Sequence, residues 1–103
     1  MKPANLSRGR GIHLIDNLKD VIVDDLSVVS RYITNPLLIN GHKFDLRIYV
    51  LVTSYDPLKI YVYKEGLARF ASETYSSKMD KDNKFMHLTN YSVNKKNDNF
   101  VYN

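Results

Sequence analysis

The sequence predicts an α+β fold: a mostly antiparallel β-sheet meander with short helices beside it. Three observations carry this. First, Phe44, Leu46, Ile48, Val50 and Val52 alternate with Asp45, Arg47, Tyr49, Leu51 and Thr53. That is period two, so one side of a strand is expected to be nearly pure core. Second, two tight turns, Tyr55-Asp56-Pro57 and Glu65-Gly66, divide this stretch from two more apolar runs, 59–64 and 67–71. Three short strands joined by tight turns read as a meander. Third, eight tyrosines and four phenylalanines concentrate in the middle of the chain, where strand residues are expected.

The other elements follow in order. Residues 2–11 are basic and turn-rich, with Lys2, Arg8, Arg10, Gly9 and Gly11. Residues 11–15 read as a short strand. Residues 16–26 fit either a short helix or a strand with turns, and Asp24-Asp25 read as solvated. The run 28–33 is β-rich and ends at Asn35-Pro36, because the residue before proline is pushed out of the helical region. Leu37-Leu38-Ile39 and a turn at Asn40-Gly41 lead into the meander. Residues 73–84 are polar and read as a surface loop with some helix. Residues 85–89 are the last apolar run before a polar, asparagine-rich end.

Composition sets the outer limits. The chain has 103 residues, enough for one modest domain, and a multi-domain enzyme is excluded. With 44% hydrophobic and 25% charged residues it reads as globular. A net charge of +4 suits an anionic partner such as a nucleotide, an acidic tail or nucleic acid. There is no cysteine, so thiolate metal sites, thiol nucleophiles and disulfides are excluded. The longest aliphatic–aromatic run, 48–52, is far short of a membrane span. The first residues lack the apolar core of a signal peptide, so a cytoplasmic address is expected and the two glycosylation-like triplets read as chance.

Four constellations could carry chemistry. Lys43, Asp45 and Arg47 share one strand face, with Phe44 and Leu46 on the other. Two cations flanking a carboxylate can hold polyphosphate, and a solvated strand face has the same pattern. In 2–11, glycines let backbone N–H groups approach a phosphate and arginines add charge; a flexible basic start fits equally. Arg69 sits between Ala68 and Phe70, where it either snorkels to solvent or binds an anion. Finally, His87-Leu88-Thr89-Asn90-Tyr91-Ser92 gathers hydroxyls, an amide and an imidazole after an apolar run, which suits ligand binding or plain turn chemistry. No zincin spacing, Walker loop or serine elbow is present, and no metal ligand is assigned. The tyrosine-rich meander with basic ends is also a fair analogue of a single-stranded nucleic-acid binder.

Taken together, Lys2-Pro3, Ser7-Arg8-Gly9-Arg10-Gly11, Ser30-Arg31-Tyr32-Ile33, the stretch 43–58, Gly66-Leu67-Ala68-Arg69-Phe70 and the stretch 83–96 resemble, in order and spacing, the tubulin–tyrosine ligase-like family. The likeness is to its tubulin polyglutamylase branch. It covers nearly the whole chain and is weakest over 12–27. The resemblance implies part of an ATP-grasp domain and an ATP-dependent ligase. ATP phosphorylates a carboxylate, and the amine of free L-glutamate attacks the acyl phosphate. The acceptor is a glutamate side chain in a tubulin C-terminal tail. By position, Lys2 resembles the phosphate-gripping lysine, with Arg8 and Gly9 in the loop over the phosphates. Ser30, Arg31, Tyr32 and Ile33 resemble the hinge that meets adenine. Lys43, Phe44 and Asp45 resemble nucleotide contacts, and Lys43, Asp45 and Arg47 the catalytic set. Arg69 resembles the arginine that receives the amino-acid carboxylate. Thr89 and Asn90 resemble a nucleotide-binding pair, and Tyr91 and Ser92 their substrate-side neighbours.

The departures from the family pattern shape the expectation. A Trp-Ile-x lead usually precedes Lys-Pro, whereas Met1 stands there in this sequence. The family's Mg²⁺ ligands, and a further basic residue for glutamate, come from a segment beyond residue 103. Residues 1–103 therefore read as a central piece of the catalytic domain, lacking the N-terminal domain and the metal-binding segment and inactive alone. The implied partners are ATP, Mg²⁺, free glutamate and tubulin tails, with no nucleic acid and no membrane. The implied address is the cytoplasm and the microtubule cytoskeleton, cilia and basal bodies included. A sister ligase adding glycine or tyrosine, and a non-catalytic microtubule-binding fragment, remain the alternative readings.

Overall fold

A computed structural model describes residues 1–22, 26–76, 78 and 80–102. Five strands and two short helices are present among them: β1 (Lys2–Pro3), β2 (Ser27–Val28), β3 (Leu38–Ile39), β4 (His42–Tyr55), β5 (Leu58–Thr74), α1 (Lys84–His87) and α2 (Tyr91–Asn94). A single 3₁₀ turn covers Leu18–Asp20. All strand pairing is antiparallel, in one two-stranded sheet (β1-β2) and one three-stranded sheet (β3-β4-β5). The α+β expectation agrees with this mixture of antiparallel sheet and short helices.

The turns at both ends of β4 fall where expected. Asn40 and Gly41 both have positive φ (50° and 78°), the geometry of a two-residue hairpin turn. They join β3 to β4 with Ile39 opposite His42. Asp56 and Pro57 turn β4 into β5, with Tyr55 opposite Leu58.

The meander differs from expectation. Residues 59–64 and 67–71 are one strand, β5, and Glu65-Gly66 is no turn. Gly66 lies opposite Ile48, where the two backbones approach closely: a Cβ at Gly66 would meet the Arg47 carbonyl oxygen at 2.7 Å. A glycine inside a strand marks close backbone approach as readily as a turn. The ladder also changes register between Ile48 and Val50, and again between His42 and Phe44 and between Val52 and Ser54. Such irregularities are bulges.

The expected core face of β4 is a second correction. Leu46, Ile48 and Val50 are 61%, 57% and 56% exposed. Period two tells which residues share a face, not whether another element covers it. Among the described residues, burial concentrates where β5 ends against α1 and α2, at Ala71, Met86, His87 and Asn94. Phe44 stacks on Phe70 across the pair, at 5.7 Å between ring centroids.

Two further expectations are corrected. Residues 11–15 form no strand; instead they are strapped to the N-terminus, with the Met1 amine donating to the His13 carbonyl (2.7 Å) and the His13 N–H donating to the Met1 carbonyl (3.2 Å). The β-rich run 28–33 is laddered only at Val28, opposite Lys2. Asp24 and Asp25 lie outside the described residues.

Candidate functional site

The short β1-β2 ladder has a consequence for chemistry. It sets Lys2 opposite Val28 and so beside the segment that follows. Among the described residues, the main chain of residues 30–33 makes no backbone hydrogen bond. Its N–H and C=O groups are open to a ligand. This segment, together with Lys2, Lys43, His87 and Leu88, lines a cleft of about 1020 Å³. Five residues expected to hold nucleotide (Ser30, Arg31, Tyr32, Ile33 and Lys2) thus converge with Lys43 in one place.

Lys43 is half-buried at the start of β4. Its ammonium lies 3.4 Å from the Tyr32 hydroxyl and 4.9 Å from the Tyr32 ring centroid. Burial lowers its pKa, and the nearby Asp45 charge opposes that. A desolvated ammonium facing a cleft is strongly attracted to an entering anion.

Asp45 and Arg69 stand directly opposite each other on β4 and β5. Arg69 donates from Nε to Asp45 Oδ1 (2.8 Å) and from Nη2 to Oδ2, a two-point ion pair. The Arg69 guanidinium holds the Asp45 carboxyl below the usual carboxylate range; burial opposes this, while the Thr89 side chain and the Arg47 charge act with Arg69. Asp45 in turn raises the pKa of Arg69. Asp45, Arg47, Arg69 and Thr89 therefore form one electrostatic cluster, with a single carboxylate among two guanidinium groups. Phe44 points to the other face, against Phe70.

The loop at Arg8 and Gly9 packs on the start of α2. Both residues have positive φ, 60° and 78°. A Cβ on Gly9 would meet Val93 Cγ2 at 2.8 Å and Asn90 Oδ1 at 3.0 Å, so only glycine fits there. The Ser92 hydroxyl donates to the Arg8 carbonyl at 2.8 Å. Arg8, Gly9 and Ser92 line a second cavity of about 1000 Å³ together with Arg10, Lys84, Lys95 and Lys96. Tyr91 lies apart from it, edge-on to Phe100 (5.9 Å) and exposed.

The model of the tubulin-tyrosine ligase family matches residues 1–103. The chain belongs to the tubulin-tyrosine ligase family. It is 58% identical to mouse "Tubulin polyglutamylase TTLL5" over 98% of its own length and 8% of that protein's. It is 56% identical to human "Probable tubulin polyglutamylase TTLL2", over 91% of this chain and 16% of the relative. Mouse "Tubulin monoglutamylase TTLL4" is 54% identical, over 100% of this chain and 9% of the relative. The chain thus spans a small part of the length of the relatives it matches.

In this family member, the structure also brings forward Asn94, which no sequence pattern singled out, and shows His87 of the 87–92 run to be buried. His87 and Asn94 are buried polar side chains, 6% and 0% exposed. Asn94 Oδ1 accepts from the Ser72 N–H (2.8 Å) and hydroxyl (2.7 Å), while Nδ2 donates to the carbonyls of Leu88 (2.7 Å) and Asn90 (3.0 Å). It fastens the Thr89–Ser92 segment to β5, the strand that carries Arg69. Asn97 and Asn99 extend the clasp to Glu73, at 2.7 and 3.0 Å. The only available signal was the high asparagine content after residue 90, which turns explain as well. No helix among the described residues is long and apolar enough to cross a membrane.

Proposed function

We propose that this chain is part of the ATP-grasp catalytic domain of an ATP-dependent tubulin glutamylase. In this reading a carboxylate oxygen of an acceptor glutamate in a tubulin C-terminal tail attacks the γ-phosphorus of ATP, and ADP leaves. The amine of free L-glutamate then attacks the acyl carbon. An isopeptide bond forms, inorganic phosphate departs with the bonding pair, and the amine loses a proton. The observation that carries the reading is the cleft in which Lys2, Lys43 and the unladdered main chain of 30–33 converge beside the Asp45–Arg69 pair. Such a step needs cations gathered around a triphosphate and a second cationic group for the amino-acid carboxylate.

Each residue then has a task. Lys2 and Lys43 hold phosphate oxygens, with Arg8 and Gly9 over them. The open main chain of Ser30 to Ile33 receives the base. Arg69 has N–H groups beyond the two given to Asp45 and offers them to the glutamate carboxylate. Thr89 and Asn90 adjoin the nucleotide, and Tyr91 and Ser92 the amino acid.

Mg²⁺ accompanies ATP in such ligases and neutralises phosphate charge. Among the described residues no group of three or more His, Cys, Asp or Glu side chains could hold a metal ion. The residues present do not fit the ion, and no step is derived through it. The proposed place of action is the microtubule cytoskeleton, with no role in nucleic-acid binding.

The test is incorporation of labelled amino acid by the intact protein with ATP, Mg²⁺ and microtubules. Glutamate should be incorporated into tubulin, and proteolytic removal of the C-terminal tails should abolish it. Incorporation of glycine or tyrosine instead, or none at all beside salt-sensitive microtubule binding, refutes the proposal.

A further inference from the structure

His87 is a buried imidazole with both ring nitrogens engaged. Nε2 lies 2.8 Å from the Asp80 carbonyl oxygen, and Nδ1 lies 2.7 Å from the Tyr32 hydroxyl. A carbonyl can only accept, so Nε2 carries its hydrogen. In the neutral ring Nδ1 is then an acceptor, and the Tyr32 hydroxyl must donate to it. With its proton committed to His87, the Tyr32 oxygen presents only lone pairs to the Lys43 ammonium at 3.4 Å. Burial and the Tyr75 hydroxyl push the Tyr32 phenol well above its ordinary pKa, so it keeps its proton at neutral pH.

The surroundings hold the ring in this orientation. Tyr32 and Tyr75 both meet the imidazole edge-on, at 5.5 and 6.2 Å between centroids. The Tyr75 hydroxyl is itself tied to the Thr34 carbonyl at 2.9 Å. Tyr32 belongs to the open hinge segment and Lys43 to β4, while His87 ends α1. Three separate parts of the chain thus meet in one directed series of hydrogen bonds that ends on the lysine of the cleft.

We propose that His87 is a positioning residue: by fixing the direction of the Tyr32 hydroxyl, it holds the Lys43 ammonium where it meets nucleotide phosphate. This rests on the reading that Lys43 binds phosphate. Its distinct content is that His87 acts only through Tyr32 and Lys43.

The experiment is a set of double-mutant cycles on the intact protein, read as ATP affinity and as separate KM values for ATP and glutamate. Tyr32→Phe keeps the ring and removes only the hydroxyl, so it is the variant least able to disturb folding. Tyr32→Phe and His87→Phe should each weaken ATP binding by about fivefold to tenfold, the effect of one ordinary side-chain hydrogen bond. The KM for glutamate should stay unchanged. The double variant should be no worse than either single one, and neither change should matter once Lys43→Ala is present. His87→Asn, whose amide oxygen stands near the position of Nδ1, should recover part of the loss. Additive losses, equal losses in the Lys43→Ala background, or an equal rise in the glutamate KM overturn the inference alone. Lys43→Ala with undiminished ATP binding overturns the reading of the cleft and this inference with it.

Discussion

Replacing Asn94 by alanine removes four hydrogen bonds, but their losses are unequal. The Ser72 hydroxyl keeps the Asn97 amide as a partner at 3.0 Å. The Asn90 carbonyl keeps the N–H groups of Val93 and Asn94, each at 3.0 Å. The Ser72 N–H and the Leu88 carbonyl lose the Asn94 amide outright, in a site whose central side chain is fully buried. Each orphaned group costs about 1–3 kcal/mol, so the loss is roughly 2–6 kcal/mol before any cavity term. That is a large share of the ~5–15 kcal/mol that holds a typical domain. Amide hydrogen exchange on the intact protein checks it. At the lower bound of about 2 kcal/mol, exchange at Ser72 should speed up roughly thirtyfold, with residues 88–94 following. Asn94→Asp should fare no better. It keeps an acceptor for Ser72 but turns a carboxylate oxygen toward two carbonyls. Unchanged exchange at Ser72 and an unchanged melting temperature in Asn94→Ala would refute the reasoning.

Other outcomes follow from the same geometry. Gly9→Ala combines positive φ with a Cβ 2.8 Å from Val93 Cγ2, so ATP affinity should drop severalfold, whereas Gly41→Ala, which meets nothing closer than 3.8 Å, should leave ATP affinity unchanged in the same assay. Lys43→Ala should chiefly raise the KM for ATP and Arg69→Ala chiefly that for glutamate; equal losses of both by each variant would contradict the assigned roles. The pKa of Asp45 is lower in the folded protein, so its ionised form stabilises the fold above the unfolded carboxyl value of about 3.9 and that contribution disappears as pH falls through the folded value. Asp45→Asn should therefore flatten the acid limb of a stability-versus-pH curve, and an unchanged limb would refute the linkage.

How much of this was legible in the sequence depends on the kind of information. Local turn chemistry was readable: Asn40-Gly41 and Asp56-Pro57 need particular backbone angles, and few residues supply them. The places of the charges along the strands were also readable, since Lys43, Asp45 and Arg69 interrupt apolar patterns. Their partnership was not. Extending the register at Tyr55 and Leu58 without interruption would set Asp45 opposite Ala68; the observed ladder changes register and brings Arg69 there. A bulge leaves no period-two signature, so pairing across it is invisible to pattern reading. The burial of His87 and Asn94 escaped for a different reason. A buried polar residue is defined by its partners, and those of His87 and Asn94 include Tyr32, 55 positions away, and Ser72, 22 positions away.

The Asp45–Arg69 pair bears on how the two halves of the proposed reaction are joined. Resemblance divides the residues into a nucleotide group containing Asp45 and an amino-acid group containing Arg69. The structure makes those two side chains one unit on neighbouring strands. A carboxylate that holds one edge of a guanidinium limits how the remaining N–H groups can be aimed. Glutamate bound at Arg69 would thus be oriented by a residue that the proposed reaction also sets beside the nucleotide, which is a physical route to aligning the amine with the acyl phosphate. Arg69→Ala also strips Asp45 of its largest stabilising partner, so a smaller loss on the nucleotide side should accompany its effect on glutamate. A cycle with Asp45→Asn and Arg69→Lys measures the coupling. If the pair acts as a unit, the double variant should lose far less than the two single losses combined. Independent roles would make the losses add.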